Sequence, residues 1–316
     1  MSATRVFMGH VLKSDESCNY YIGFPSLKIF QDVLIFLDAG ETGQNIILYN
    51  YKEGKNDARG GRRRCFSPLE SFVLTLVKLR RNSGIIHFSY IFNASEGTIS
   101  NTFNTWINFM YIRVGSICIW PTREQVQKIM PESMKQHFAN TRCIIDCLEI
   151  KVAVPTSLRL HKMLYSDYKS HTTVKILVGI APGGGFTFIS SAYPGSISDK
   201  NIVVKSGFLR PKLWQEGDAA MADRGFTIAE YLKPMNVELI IPSFLQGREQ
   251  FTELELVKSQ QIARERIHVE RMIQRLKCYH IFNRVMPLNM AGSLNQIITV
   301  AALLSNFQDP ILKDVN

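Results

Sequence analysis

Three acidic residues, far apart in the chain, have the residue types and settings that phosphoryl-transfer chemistry uses: Asp146, Asp223 and Glu270. Asp146 sits in the middle of RCIIDCLEIKVAV, a β-branched run with apolar residues on both faces. A carboxylate there is costly to bury unless a metal ion or a cationic side chain compensates it. Asp223 follows the short apolar run of GDAAMADRGF and precedes Arg224 and Gly225. An acidic residue at a strand end, just before a glycine, lies where α/β sheets place their ligands. Three such carboxylates meeting at one sheet edge would repel one another without a cation. Mg²⁺, or Mn²⁺ in its place, suits them, because it is a hard ion that takes oxygen ligands and keeps water and substrate phosphate in its shell. Two such ions about 4 Å apart activate an attacking oxygen and stabilise a leaving one.

The elements that must position these groups follow from the periodicity. Residues 263–284 contain neither Pro nor Gly, and Ile262, Val269, Ile273 and Leu276 recur at helical spacing, predicting one long amphipathic helix. Arg266, Glu270 and Lys277 line up beside its apolar stripe, an acid flanked by two cations. Arg–Glu pairing on a solvated helix explains the same pattern. From residue 143 onward the order is strand, hairpin of two strands, helix, strand, helix, strand, long helix. That order is ribonuclease H-like: an α/β fold whose mixed sheet is flanked by helices. The run Gly183–Gly184–Gly185 reads as the hairpin turn, since no Gly-Lys-Ser/Thr follows and no helix begins there. Asp199 falls in the first turn of a helix capped by Ser196 or Ser198. Complementing the helix dipole accounts for it as well as orienting a cleft does.

Upstream, the pattern predicts a small all-α module. Residues 1–60 begin with a polar arm and continue into a short packing helix after Pro25. YKEGKNDARGGRRRC reads as a linker ending in Arg62, Arg63 and Arg64, a basic run suited to clamping phosphates or to a solvated loop. PLESFVLTLVKLRR and IIHFSYIF read as helices. After the turn NASEG, a further helix opens with small polar residues, including Thr98, Ser100 and Asn101 at its exposed end. That is the outline of a helix-turn-helix whose last helix reads DNA, and equally of an ordinary three-helix packing module. The resulting division is an N-terminal arm over 1–60, a helix-turn-helix-like module over 61–135 and the α/β domain over 136–316.

A formal net charge of +10 on 316 residues favours a polyanionic partner. No uninterrupted apolar run approaches the ~20 residues that span a bilayer, and MAGSLNQIITVAALLSNF reads as a packed helix. The N-terminus lacks a secretory pattern. Six cysteines without any Cys-x-x-Cys pair indicate neither zinc nor redox chemistry, and are expected as buried thiols of an intracellular protein.

In order and spacing these stretches resemble one family. Residues from about 20 to 310 are similar to the DDE-type endonuclease and transposase domain of PIF/Harbinger-like elements. The matching stretches are YIGFPSLKIF, the helical segment 67–109, IIDCLEI, YSDYKSHTTVKILVGIAP, GSISDK, ADRGF and IHVERMIQRLK. Seventy-six residues separate Asp146 from Asp223 and forty-six separate Asp223 from Glu270, within the range of such enzymes. The resemblance implies a metal-dependent DNA endonuclease of transposase type, cutting at element ends and joining the freed 3′-hydroxyl to target DNA. It makes Asp146, Asp223 and Glu270 the catalytic metal ligands for two Mg²⁺ or Mn²⁺ ions, with Arg266, Lys277, Arg224 and Asp199 in support. Its implied partner is double-stranded DNA in the nucleus, with room for a separate DNA-binding partner protein and a homo-oligomer, and no membrane. Two positions depart from the pattern: Ala263 stands where a tyrosine is expected, and Leu148 where the Asp-x-Thr threonine is expected. No Cys/His spacing supplies the zinc-binding THAP domain of many members, so the domain is lost or the chain is a fragment. A transposase-derived DNA-binding protein without cleavage is the alternative reading.

Overall fold

A computed structural model describes residues 2–48, 64–245 and 250–311. It divides into two compact units, and the first comprises Met1–Ile117 with Lys277–Arg284 and Met290–Asp309. Its helices are α1 (Ala3–Val11), α2 (Asp15–Tyr21), α3 (Leu27–Leu37), α4 (Pro68–Arg81), α5 (Ile85–Phe92) and α6 (Glu96–Gly115). The expected polar arm is thus two helices. Ser2 and Ser14 cap them by accepting from amides in the first turn. Val11, Cys18 and Ile22 are fully buried, and Phe7 meets Tyr21 and Phe92 edge-on, so an apolar stripe runs through the stretch expected as a polar arm.

Helix α4 is the centre of this unit. A reciprocal capping box joins Ser67 and Glu70, Pro68 occupies the first turn where no amide is needed, and nine of its residues are buried. Phe72 stacks on Phe30 at 5.3 Å between ring centres and lies 5.5 Å from Trp106 of α6. Between α5 and α6 the chain turns through Asn93 in the left-handed region, and Ser95 caps α6.

The second unit, Cys118–Leu276 with Val285–Asn289 and Pro310–Asn316, carries the sheet. After Trp120 come two short helices, α7 (Arg123–Ile129) and α8 (Glu132–Phe138). Met130, preceding Pro131, is held extended, as a residue before proline must be. Then come β1 (Thr141–Lys151), α9 (Leu158–Leu164), β2 (Tyr165–Ser166), β3 (His171–Ile180), β4 (Phe186–Ile189), β5 (Tyr193–Pro194), α10 (Asp199–Ser206), β6 (Ala219–Met221), α11 (Ala229–Leu232), β7 (Glu238–Ile240) and α12 (Glu253–Lys277). The sheet order is β2-β3-β1-β6-β7, with β4 and β5 also paired to β3. β1 is antiparallel to β3 and parallel to β6, and β6 is parallel to β7. This is the mixed, ribonuclease H-like arrangement that the order of elements predicts. Ile202, Val203, Phe208 and Phe226 close one face over Ile145 and Leu177.

Helix α12 differs from its expected span at both ends. It starts at Glu253, behind a capping box between Thr252 and Glu255, and stops at Lys277. Beyond it Tyr279 is fully buried and residues His280–Phe282 form a single tight turn. The last helix, α13 (Leu294–Ser305), returns to the first unit and packs on α6 with nine of its twelve residues buried. By length and composition alone, Leu288–Ser305 would also cross a membrane. The thiols correct another expectation: Cys18 and Cys143 are buried, Cys147 is partly so, and Cys65, Cys118 and Cys278 are exposed.

Candidate active site

Parallel pairing of β1 and β6 sets Ile144 beside Met221. Asp146 and Asp223 each lie two residues further along. Asp146 is still inside β1, whereas Asp223 lies just past the end of β6, and the two carboxylates share the Arg266 guanidinium as a neighbour. β6 ends at Met221, and the chain turns back through Asp223, whose carbonyl accepts from the Phe226 amide at 3.0 Å. One Asp223 carboxylate oxygen accepts from the Arg224 amide at 2.7 Å and pairs with the Arg266 guanidinium of α12 at 3.2 Å. An Asp146 oxygen accepts from the Cys147 amide at 2.8 Å.

Burial dominates the electrostatics of Asp146. It pushes the carboxyl up from 3.8 to about 6, against the lowering influence of the Cys147 amide and Arg266, while Asp223 and Asp199 push the same way as burial. The neighbouring Cys147 thiol is pushed upward by burial and by the acids around it, and stays protonated. Asp199, in the first turn of α10 behind the Ser198 cap, joins this group. Its carboxylate stands over Gly225, where an added Cβ would lie 3.6 Å from its Oδ2.

The sequence-predicted residues are therefore brought together in part. Asp146, Asp223, Asp199 and Arg266 form one electrostatic cluster. Glu270 is exposed on α12, one turn beyond Arg266, and Lys277 is the final residue of that helix. Among the described residues no three His, Cys, Asp or Glu side chains are grouped so as to hold one metal ion. Arg224 is exposed and lies 5.8 Å from the ring centres of both Phe244 and Phe251. In the first unit, Arg64, Thr98 and Asn101 line a cavity of about 700 Å³ together with Ser95 and Trp106, while Ser100 is half-buried beside them. The Arg64 guanidinium donates to the Ile46 carbonyl at 2.7 Å. Arg62 and Arg63 lie outside the described residues.

Sequence reasoning missed Glu149 and Lys175. They face each other across β1 and β3, and Lys175 also reaches Asp199. Their signal is cross-strand, so no local motif carries it.

The cluster suits a hard cation. Its donors are carboxylate oxygens, its one thiol is held protonated, and the charge of Asp146 is undercompensated. A family model described as DDE superfamily endonuclease matches residues 145–306, and one described as helix-turn-helix of DDE superfamily endonuclease matches residues 64–116. No curated protein and no solved structure matches the chain.

Proposed function

The chain belongs to the DDE superfamily endonucleases, and from that premise we propose that it hydrolyses phosphodiester bonds of double-stranded nuclear DNA, at element ends, in a reaction that depends on divalent metal. The observation that carries this reading is the pair Asp146 and Asp223, one on β1 and one in the turn that follows the neighbouring strand β6, with the first resisting ionisation. Asp146 and Asp223 would hold Mg²⁺ or Mn²⁺, with Glu270 as the third donor from the same edge of α12. When bound, such ions polarise the scissile phosphate and neutralise charge developing on it.

The remaining roles belong to the protein. Arg266, its side chain 11% exposed, keeps Asp223 oriented through its ion pair. Lys277 and Arg224 steady the phosphates that flank the cut, the latter with its guanidinium already set against two aromatic rings. The α4–α6 module engages duplex DNA through the N-terminal turns of α6, where Thr98, Ser100 and Asn101 lie.

A supercoiled-plasmid nicking assay tests this. The parent chain should nick in Mg²⁺ or Mn²⁺ and not in EDTA, and Asp146→Asn and Glu270→Gln should each lose at least about a hundredfold in rate. Variants that cut as fast as the parent would refute the assignment.

A further inference from the structure

Lys175 sits inside the second unit with its side chain 12% exposed, opposite Glu149 in the β1–β3 register. Its ammonium pairs with Glu149 at 3.6 Å and with Asp199 at 3.3 Å, and donates to the Ile197 carbonyl at 3.2 Å. The other Glu149 oxygen accepts from the Thr173 hydroxyl at 2.9 Å. A buried lysine is tolerated only when it is paired in this way. Here the pairing joins three segments: β1, β3 and the loop that leads into α10.

Side chains alternate along β1, so Glu149 and Lys175 lie on the face opposite Asp146, and the triad bears on the Asp146–Asp223 pair through Asp199. Asp199 pairs with Lys175, acts on Asp146 and lies over Gly225, in the turn that carries Asp223.

We infer that Lys175 is a positioning residue for the metal-dependent reaction: by holding Asp199 it keeps that carboxylate out of the Asp146–Asp223 pair that would hold a divalent cation. The inference rests on the reading under Proposed function. It is tested by calorimetric titration of the metal-free full chain with Mn²⁺ at pH 8, run beside the nicking assay. Removing one buried charge from this setting should tighten Mn²⁺ binding at least about tenfold in Lys175→Met. The same variant should lose at least about tenfold in nicking kcat while KM for DNA is unchanged, because the freed Asp199 competes as a ligand. Lys175→Arg should keep the parent's Mn²⁺ affinity. A folded Lys175→Met that binds Mn²⁺ no more tightly than the parent overturns the inference.

Should Lys175→Met fail to fold, the charge-matched pair of variants decides. Asp199→Asn alone leaves the ammonium with one counter-charge and should weaken Mn²⁺ binding about tenfold, and Asp199→Asn with Lys175→Met should restore it to near the parent's value. Equal affinity in these two overturns the inference. A parent chain that binds Mn²⁺ but never nicks DNA removes the proposed function, and the affinities alone then decide the role of Lys175. A parent that binds no Mn²⁺ overturns both.

Discussion

Replacing Asp146 with asparagine should make the metal-free protein more stable while abolishing its activity, and the stability gain should depend on pH in a defined way. Burial moves this carboxyl from its ordinary 3.8 to about 6. At about 1.4 kcal/mol per tenfold change in proton affinity, ionising it in the fold costs about 3 kcal/mol more than in the unfolded chain. The sign follows from proton counting. Between pH 4 and pH 6 the folded protein holds a proton that the unfolded chain has released, so raising the pH through that window costs stability. Asparagine, close in shape and uncharged, escapes that cost. The gap between variant and parent should be about 1 kcal/mol at pH 4.5 and level off near 3 kcal/mol above pH 7. For a unit of this size that plateau corresponds to a Tm about 6–12 °C higher. Thermal melts in EDTA from pH 4.5 to 8 measure it directly. Adding millimolar Mg²⁺ should then raise the parent's Tm above pH 6 and leave the variant nearly unmoved, closing the gap by mass action. A gap that does not change with pH, or a parent more stable than the variant at pH 7.5, would show that Asp146 is compensated in the fold and that no cation is needed to relieve it.

Gly195, in the loop before Asp199, has no room for a methyl group: an added Cβ would lie 2.6 Å from the Leu164 carbonyl oxygen and 2.8 Å from that of Thr173. Gly195→Ala should therefore cost about 2–3 kcal/mol, read as a lowered denaturant midpoint, and lower nicking with it because the Asp199 loop moves. Native-state thiol titration should give three fast equivalents, from Cys65, Cys118 and Cys278, and three that react only on unfolding.

Much of this architecture is written in local pattern. The β-branched apolar run in RCIIDCLEIKVAV, the glycine turn 183–185 and the spacing from Ile262 to Leu276 specify β1, the β3–β4 hairpin and the middle of α12, because each depends on residues a few positions apart. Asp146 and Asp223 were legible for the same reason: a carboxylate in an apolar strand and an acid before a glycine are anomalies visible in a window of ten residues. The rest needed distant partners. Helices α1 and α2 are held by Phe7, Val11, Cys18 and Ile22 finding a core elsewhere in the chain. Just beyond the end of α12 Tyr279 is fully buried, and α13 packs on α6 nearly two hundred residues earlier in the chain. Lys175 looks like any strand lysine until β1 is laid against β3. Glu270 stands out in the sequence by its flanking cations, and on the helix it is exposed.

The equal offset of Asp146 and Asp223 from one paired rung constrains how chains of this kind can change length. Each acid is tied to the Ile144–Met221 rung by a fixed offset of two residues. Deleting one residue between Ile144 and Asp146 would swing that carboxylate to the opposite side of the sheet, whereas insertions into the loops around α9, or between α10 and β6, leave both acids where they are. Homologous chains should therefore differ freely in the separation of their first two acids and hardly at all in the short stretch of strand before each one.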